Sequence, residues 1–150
     1  SIGPNSARRW TDMVLMRMAL PKLFPDADLI LSLDHDTIVR KPIDYLWRLP
    51  LYECYFAAVE EKQIQGRQHP YFNFGVLMCK HAKLRRDGMC DQIIHALNTR
   101  YFGYCEQDAA NDLCCGHIYM LPPSYNAFRF QSPPVPDPDV IIRHYAGLKT

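Results

Sequence analysis

Apolar positions along this chain switch between helical and strand-like spacing, and the switches delimit its elements. Residues 6–24 place Trp10, Met13, Val14, Met18 and Leu20 at helical intervals, which predicts an amphipathic helix capped by Ser6 and stopped by Pro21 and Pro25. The run from Leu29 to Val39 is rich in Leu and Ile and reads as a buried strand that stops on carboxylates. Thr37 to Arg40 continues extended, Pro42 to Arg48 suits a short helix with Pro in its first turn, and Tyr55 to Val59 is a buried strand. Glu60 to Pro70 is polar and contains Gly66, so it is a loop, either a lid over a site or a surface connection.

Tyr71 to Cys79 is a second apolar strand, but Asn73 and Gly75 interrupt it against strand propensity. Ala82 to Tyr101 has the spacing of one helix or of two broken near Gly88, and Glu106 to Cys115 of another. Ile118 to Leu121 is a strand; after a stiff stretch holding Pro133, Pro134, Pro136 and Pro138, Val140 to Ile142 is the last, delivering Arg143 and His144. At 150 residues this is one domain or most of one, long enough for a real core, and in an open α/β sheet the carboxylates that end the Leu29 run would lie at the ligand-binding edge.

Composition changes this picture little. The chain is 48% hydrophobic and 22% charged, with 17 basic and 16 acidic residues; such a balance offers no global field to attract nucleic acid or an anionic membrane. Apolar runs are too short for a membrane span, so a soluble domain is expected, with any anchor outside this sequence. The six cysteines, Cys54, Cys79, Cys90, Cys105, Cys114 and Cys115, show neither CxxC nor zinc-ligand spacing. Reduced thiols in a cytoplasmic or intracellular protein are the favoured reading over a disulfide framework, and the Golgi lumen is the alternative where an anchor lies elsewhere.

The candidate chemistry starts at Asp34-His35-Asp36. Residues i and i+2 of a strand face the same side, so Asp34 and Asp36 can address one object while His35 turns away. Two hard oxygen donors at a strand's carboxyl end suit Mg²⁺ or Mn²⁺; a solvated, turn-forming pair is the alternative. Other residues are less telling by themselves. Arg17 reads as a surface cation, and Glu106 and Asp108 as helix-capping acids. Asn73 and Gly75 mark a functional approach or a bulge, His144 reads as a structural histidine, and Lys149 as a solvated tail residue.

Several separated stretches, in this order, resemble the family-8 retaining glycosyltransferases. They are the Arg17 helix with its Leu-Phe-Pro, Leu33-Asp34-His35-Asp36, Asn73-Phe-Gly75-Val76, Glu106-Gln107-Asp108 through Asn111, Pro122 to Asn126, and His144-Tyr-Ala-Gly147-Leu-Lys149. The resemblance covers nearly the whole chain. It implies a GT-A fold, a mixed sheet flanked by helices in one partial domain over 1–150 that lacks its N-terminal nucleoside-binding strands. An exposed sheet edge then invites a homodimer or instability.

The resemblance also implies an enzyme that moves a hexose from a nucleotide-diphosphate sugar, UDP-glucose or UDP-galactose, to a glycan or protein acceptor. It implies Mn²⁺, or Mg²⁺, held by Asp34, Asp36 and His144. Arg17, Asn73, Gly75, Asp108, Gly147 and Lys149 become donor contacts, with Gln107 on the face of the anomeric carbon and Glu106 on sugar hydroxyls. Glu106 stands where Asp is usual, and His35 where Ala is commoner. The competing readings are a metal-dependent phosphohydrolase built on Asp34 and Asp36, and a catalytically inactive sugar- or nucleotide-binding module.

Overall fold

The structure is a computed structural model that describes residues 4–5, 15–62, 64 and 68–147. The first half of the expected N-terminal helix, with Ser6, Trp10, Met13 and Val14, lies outside them, as do Gly66 and Lys149. A four-stranded sheet has the order β1–β4–β3–β5, formed by Leu29–Leu33 (β1), Phe72–Lys80 (β4), Phe56–Glu60 (β3) and Ile118–Leu121 (β5). β4 runs antiparallel to both β1 and β3, and β5 is parallel to β3. A second, two-stranded sheet pairs Thr37–Val39 (β2) with Ile142–His144 (β6) antiparallel.

The central strands are apolar almost throughout because both faces are covered. Phe56 and Ala58 of β3 point into a core with Leu84, Ile93 and Ala109, whereas Ala57 and Val59 point into a second with Leu46, Leu51 and Tyr125, as the two-residue period of a strand requires. β4 breaks that period. Phe72 and Phe74 share the first core with Leu77 and Cys79, so the alternation slips between Phe74 and Leu77. The β3–β4 register shifts at the same place, between the Ala57–Met78 and Val59–Asn73 pairs. The slip is a bulge, centred where Gly75 lies in the chain.

Among the described residues the α-helices are Leu20–Leu23 (α1), His81–Arg86 (α2), Met89–Thr99 (α3) and Cys105–Leu113 (α4). The expected break near Gly88 is present, with Gly88 at φ +65° between α2 and α3, a left-handed conformation that glycine adopts without penalty. Pro21 departs from expectation. It occupies the first turn of α1 instead of ending a helix, where its missing N–H has no helical partner to lose; the stop falls at Phe24, before Pro25.

β1 also departs from expectation. It was expected to be buried but is half-exposed along its length, since among the described residues it forms one edge of the sheet and pairs with β4 alone. All six cysteines are free thiols, and no helix among the described residues is long and apolar enough to cross a membrane.

Candidate active site at the end of β1

The chain leaves β1 at Leu33, turns through His35 and Asp36, and re-enters extended structure at Thr37. Asp34 and Asp36 are therefore on a turn rather than in a strand. Their shared direction comes from the turn's bonds: the Thr37 N–H and Oγ1 both donate to the Asp34 carbonyl, at 3.2 and 2.7 Å. The Asp34 N–H donates to Gly75 O at 2.8 Å and the Tyr145 N–H to Asp36 O at 2.9 Å, tying the turn to β4 on one side and to the end of β6 on the other.

Register then supplies the third group. His144 is the partner of Thr37 across β2 and β6, one residue beyond Asp36, and its Nε2 lies 3.3 Å from Asp36 Oδ1 and 3.8 Å from Asp34 Oδ2. Donor atoms of Asp34, Asp36 and His144 all fall within 4.8 Å of one another. His144 is buried while the two carboxylates are about one-third exposed, so the group opens on the carboxylate side. Two hard oxygens with one borderline imidazole nitrogen are a donor set that fits Mn²⁺ or Mg²⁺.

Gly75 makes room for the imidazole. A Cβ at this position would lie 2.1 Å from His144 Cε1 and 2.3 Å from Nδ1, so only glycine fits beneath the ring. The bulge in β4 and the close approach are one feature: the residue that breaks the strand's alternation is the floor of the His144 pocket. Phe128 packs edge-on against the same ring at 6.3 Å.

Arg17 joins the metal-type cluster to α4. Its Nη2 donates to Asp34 Oδ1 at 2.5 Å, its Nη1 to Phe74 O at 2.8 Å, and Nη1 lies 3.4 Å from Glu106 Oε1. The guanidinium thus occupies one oxygen of Asp34 and leaves Oδ2 facing His144. Burial pushes the Glu106 carboxyl up to about 7, opposed by the Arg17 charge. Its Oε2 is buried without a hydrogen-bond partner among the described residues, a polar atom in want of a donor.

Gln107 and Asn111, one helical turn apart on α4, grip the interrupted strand. Gln107 Oε1 accepts the Phe74 N–H at 2.8 Å and Nε2 donates to Tyr71 Oη at 2.8 Å. Asn111 takes the Phe72 N–H at 2.7 Å and returns a bond to Phe72 O at 2.9 Å. These side chains satisfy backbone groups next to the bulge. Both ends of the Gln107 amide are engaged within the protein, so reaching a bound sugar requires exchanging one of those bonds. Asp108 accepts from Tyr71 Oη at 2.7 Å and from the Tyr104 N–H at 2.9 Å. Gly147, at φ +71°, packs near Phe130 after β6.

Of the residues expected at the site, Arg17, Asp34, Asp36, Asn73, Gly75, Glu106 and His144 come together, with Gln107 adjacent through Phe74. Two residues without an expected role join them. Asn126, fully buried in a short 3₁₀ turn, bridges His144 Nδ1 at 2.9 Å and Asn73 Oδ1 at 2.8 Å. Glu61, at the start of the loop after β3, accepts from Asn73 Nδ2 at 2.9 Å. A polar Asn amid Tyr125, Ala127 and Phe128 was the available signal for the first; Glu61 sits in a polar run and offered none.

Comparison with known proteins agrees with this geometry. The family model of glycosyl transferase family 8 matches residues 3–149, so the chain belongs to that family. Among curated sequences it is 26% identical over 136 residues to the Arabidopsis thaliana protein named "Probable galacturonosyltransferase 13", covering 80% of this chain and 26% of that one. Among solved structures, the galactosyltransferase LgtC in complex with donor and acceptor sugar analogs superposes with a TM-score of 0.77 at 22% identity, over 97% of this chain and 62% of that one. The glycosyltransferase GlyE of Streptococcus pneumoniae TIGR4 gives 0.72 at 25% identity, over 87% of this chain and 37% of that one. The mixed α/β fold is thus the GT-A fold of family 8, and the chain spans less than two thirds of the length of these relatives.

Proposed function

We propose that this chain carries the cation- and sugar-handling part of a Mn²⁺-dependent retaining hexosyltransferase that takes its sugar from UDP-glucose or UDP-galactose and passes it to a saccharide or protein acceptor. The observation that supports this most is the convergence of Asp34 Oδ2, Asp36 Oδ1 and His144 Nε2, from a turn and a separate strand, on one point. Asp34, Asp36 and His144 would hold the ion, which when bound supplies Lewis-acid neutralisation of charge on the leaving diphosphate.

The chain's own residues do the rest. Arg17 orients Asp34 and balances the charge of Glu106. Glu106, with one buried oxygen unpartnered, offers that oxygen to a sugar hydroxyl. Gln107 would face the anomeric carbon once one of its two bonds is exchanged, and Lys149, outside the described residues, would add a cation for the diphosphate. Retention of configuration follows from the family, through front-face attack assisted by the leaving phosphate. The engagement of both ends of Gln107 favours a second reading, a binding module without turnover.

The test is incubation of the folded chain with UDP-glucose or UDP-galactose and Mn²⁺, following UDP release and the anomer formed by NMR. Release that EDTA abolishes, with an α-configured product, supports the transferase. Donor binding without release supports the binding module, and metal-dependent cleavage of simple phosphomonoesters instead of the nucleotide sugar supports a phosphohydrolase.

A further inference from the structure

The hydrogen bonds behind His144 have a direction that can be read from one end. The Gly75 backbone N–H can only donate, and its acceptor is Asn73 Oδ1 at 2.9 Å. That bond fixes which end of the Asn73 amide is the carbonyl. The group meeting the same oxygen at 2.8 Å is then the Asn126 amide nitrogen, which leaves Asn126 Oδ1 facing His144 Nδ1 at 2.9 Å. An amide oxygen only accepts, so Nδ1 carries the proton of the neutral ring. Nε2, the nitrogen aimed at Asp36 and Asp34, is left with its lone pair bare.

We infer that Asn126 is a positioning residue that holds His144 in the Nδ1–H tautomer, so that Nε2 is prepared to ligate a cation, with the Gly75 N–H as the fixed donor that sets the whole relay. Free neutral imidazole favours the opposite, Nε2–H, form, in which the proton would block the lone pair that a metal needs. An outer hydrogen-bond partner that selects a metal-binding tautomer typically contributes ten- to a hundred-fold in metal affinity. Asn126 is fully buried, and among the described residues its two amide ends are engaged by His144 and Asn73. Asn73 Nδ2 continues the relay outward to Glu61 Oε2, so the same register of donors runs from the loop after β3 to the site. The metal half of this inference rests on the cation reading proposed above; the tautomer half does not.

The experiment is long-range ¹H–¹⁵N correlation NMR on the ¹⁵N-labelled, metal-free chain at about pH 9, where imidazoles are neutral, with the His144 signals identified by their loss in His144→Gln. We expect pyrrole-like Nδ1 and pyridine-like Nε2 in the wild type. Asn126→Ala should move the ring toward the Nε2–H form and weaken Mn²⁺ binding by about ten- to a hundred-fold. The pair Asn73→Asp with Glu61→Gln reverses the outer link but keeps an oxygen for the Gly75 N–H and for Asn126, so it should retain the wild-type tautomer. A pyrrole-like Nε2 in the wild type overturns the inference, and so does an Asn126→Ala protein that is folded yet keeps the wild-type ring and affinity. Should Asn126→Ala not fold, the wild-type spectrum and the paired variant decide. The expected tautomer in a wild type that binds no Mn²⁺ supports the relay and overturns the cation reading.

Discussion

Substituting Gly75 by Ala is the sharpest steric probe of the site. Gly75 has an ordinary backbone conformation, absent from the positive-φ glycines Gly88, Gly116 and Gly147, so alanine strains nothing locally and the whole effect comes from what its Cβ meets. That carbon would sit 2.1 Å from His144 Cε1, against the 3.4 Å at which ordinary contact begins, so the ring must retreat by about 1.3 Å. Retreat is obstructed: the ring is buried, held at 2.9 Å by Asn126 and flanked by Phe128.

Overpacking of this kind costs about 1–3 kcal/mol, and losing the Nδ1 bond to a buried amide about 1–3 kcal/mol more. Partial relaxation puts the expected loss at about 2–4 kcal/mol, read from urea denaturation, together with at least a tenfold weakening of Mn²⁺ binding as Nε2 leaves its place. Gly88→Ala is the control. Its Cβ would meet nothing within 4 Å but its φ is +65°, so it should cost about 1–2 kcal/mol and leave Mn²⁺ binding unchanged. A Gly75→Ala protein within about 0.5 kcal/mol of wild type, with wild-type Mn²⁺ affinity, would refute the placement of His144.

The remaining predictions concern buried polar groups. Burial raises Glu106 to about 7 from 4.5, so the folded state holds its proton more tightly than the unfolded one; the resulting stability is complete below pH 4.5 and lost as pH rises through about 7, by up to about 3 kcal/mol. Glu106→Gln should remove that decline in denaturation midpoints between those two pH values. His81 has the opposite sign. It is fully buried with both ring nitrogens unpartnered among the described residues, and burial with the Arg85 charge lowers it to about 4 from 6.5. Its contribution is therefore complete above 6.5 and lost as pH falls toward about 4, and His81→Phe should flatten the acid side of the stability profile without loss near neutrality. Gln107→Ala should cost about 1–3 kcal/mol, because the Phe74 N–H loses its acceptor and the Tyr71 hydroxyl loses the Gln107 donor while keeping Asp108; unchanged stability would show that the Gln107 amide is free to face a sugar.

Much of the fold was legible because it depends on local signals. The strands at Phe56–Glu60 and Phe72–Lys80 follow from runs of apolar residues, and the α2–α3 break from a glycine that alone adopts φ +65° comfortably. The Asp34–Asp36 pair was legible as chemistry, but its presentation on a turn depends on Thr37, Gly75 and Tyr145 holding its backbone. Asn73 and Gly75 announced a disturbance in β4, and the structure resolves the choice between bulge and functional approach by making them the same feature. Glu61 had no such signature and Asn126 only its polarity among apolar neighbours, since their meaning comes from partners 12 and 18 residues distant in sequence. Likewise the half-exposure of β1 reflects its position at the sheet's edge, which its Leu-Ile composition does not encode.

The central claim is that Asp34, Asp36 and His144 form a cation site that recruits the donor. Calorimetric titration of the folded chain with UDP-glucose or UDP-galactose, first with Mn²⁺ and then with EDTA, repeated on Asp34→Ala/Asp36→Ala, tests it most directly. The account predicts binding to the wild type that EDTA abolishes and that the double variant, still folded, lacks. Equal binding by wild type and double variant, or binding indifferent to EDTA, would contradict it.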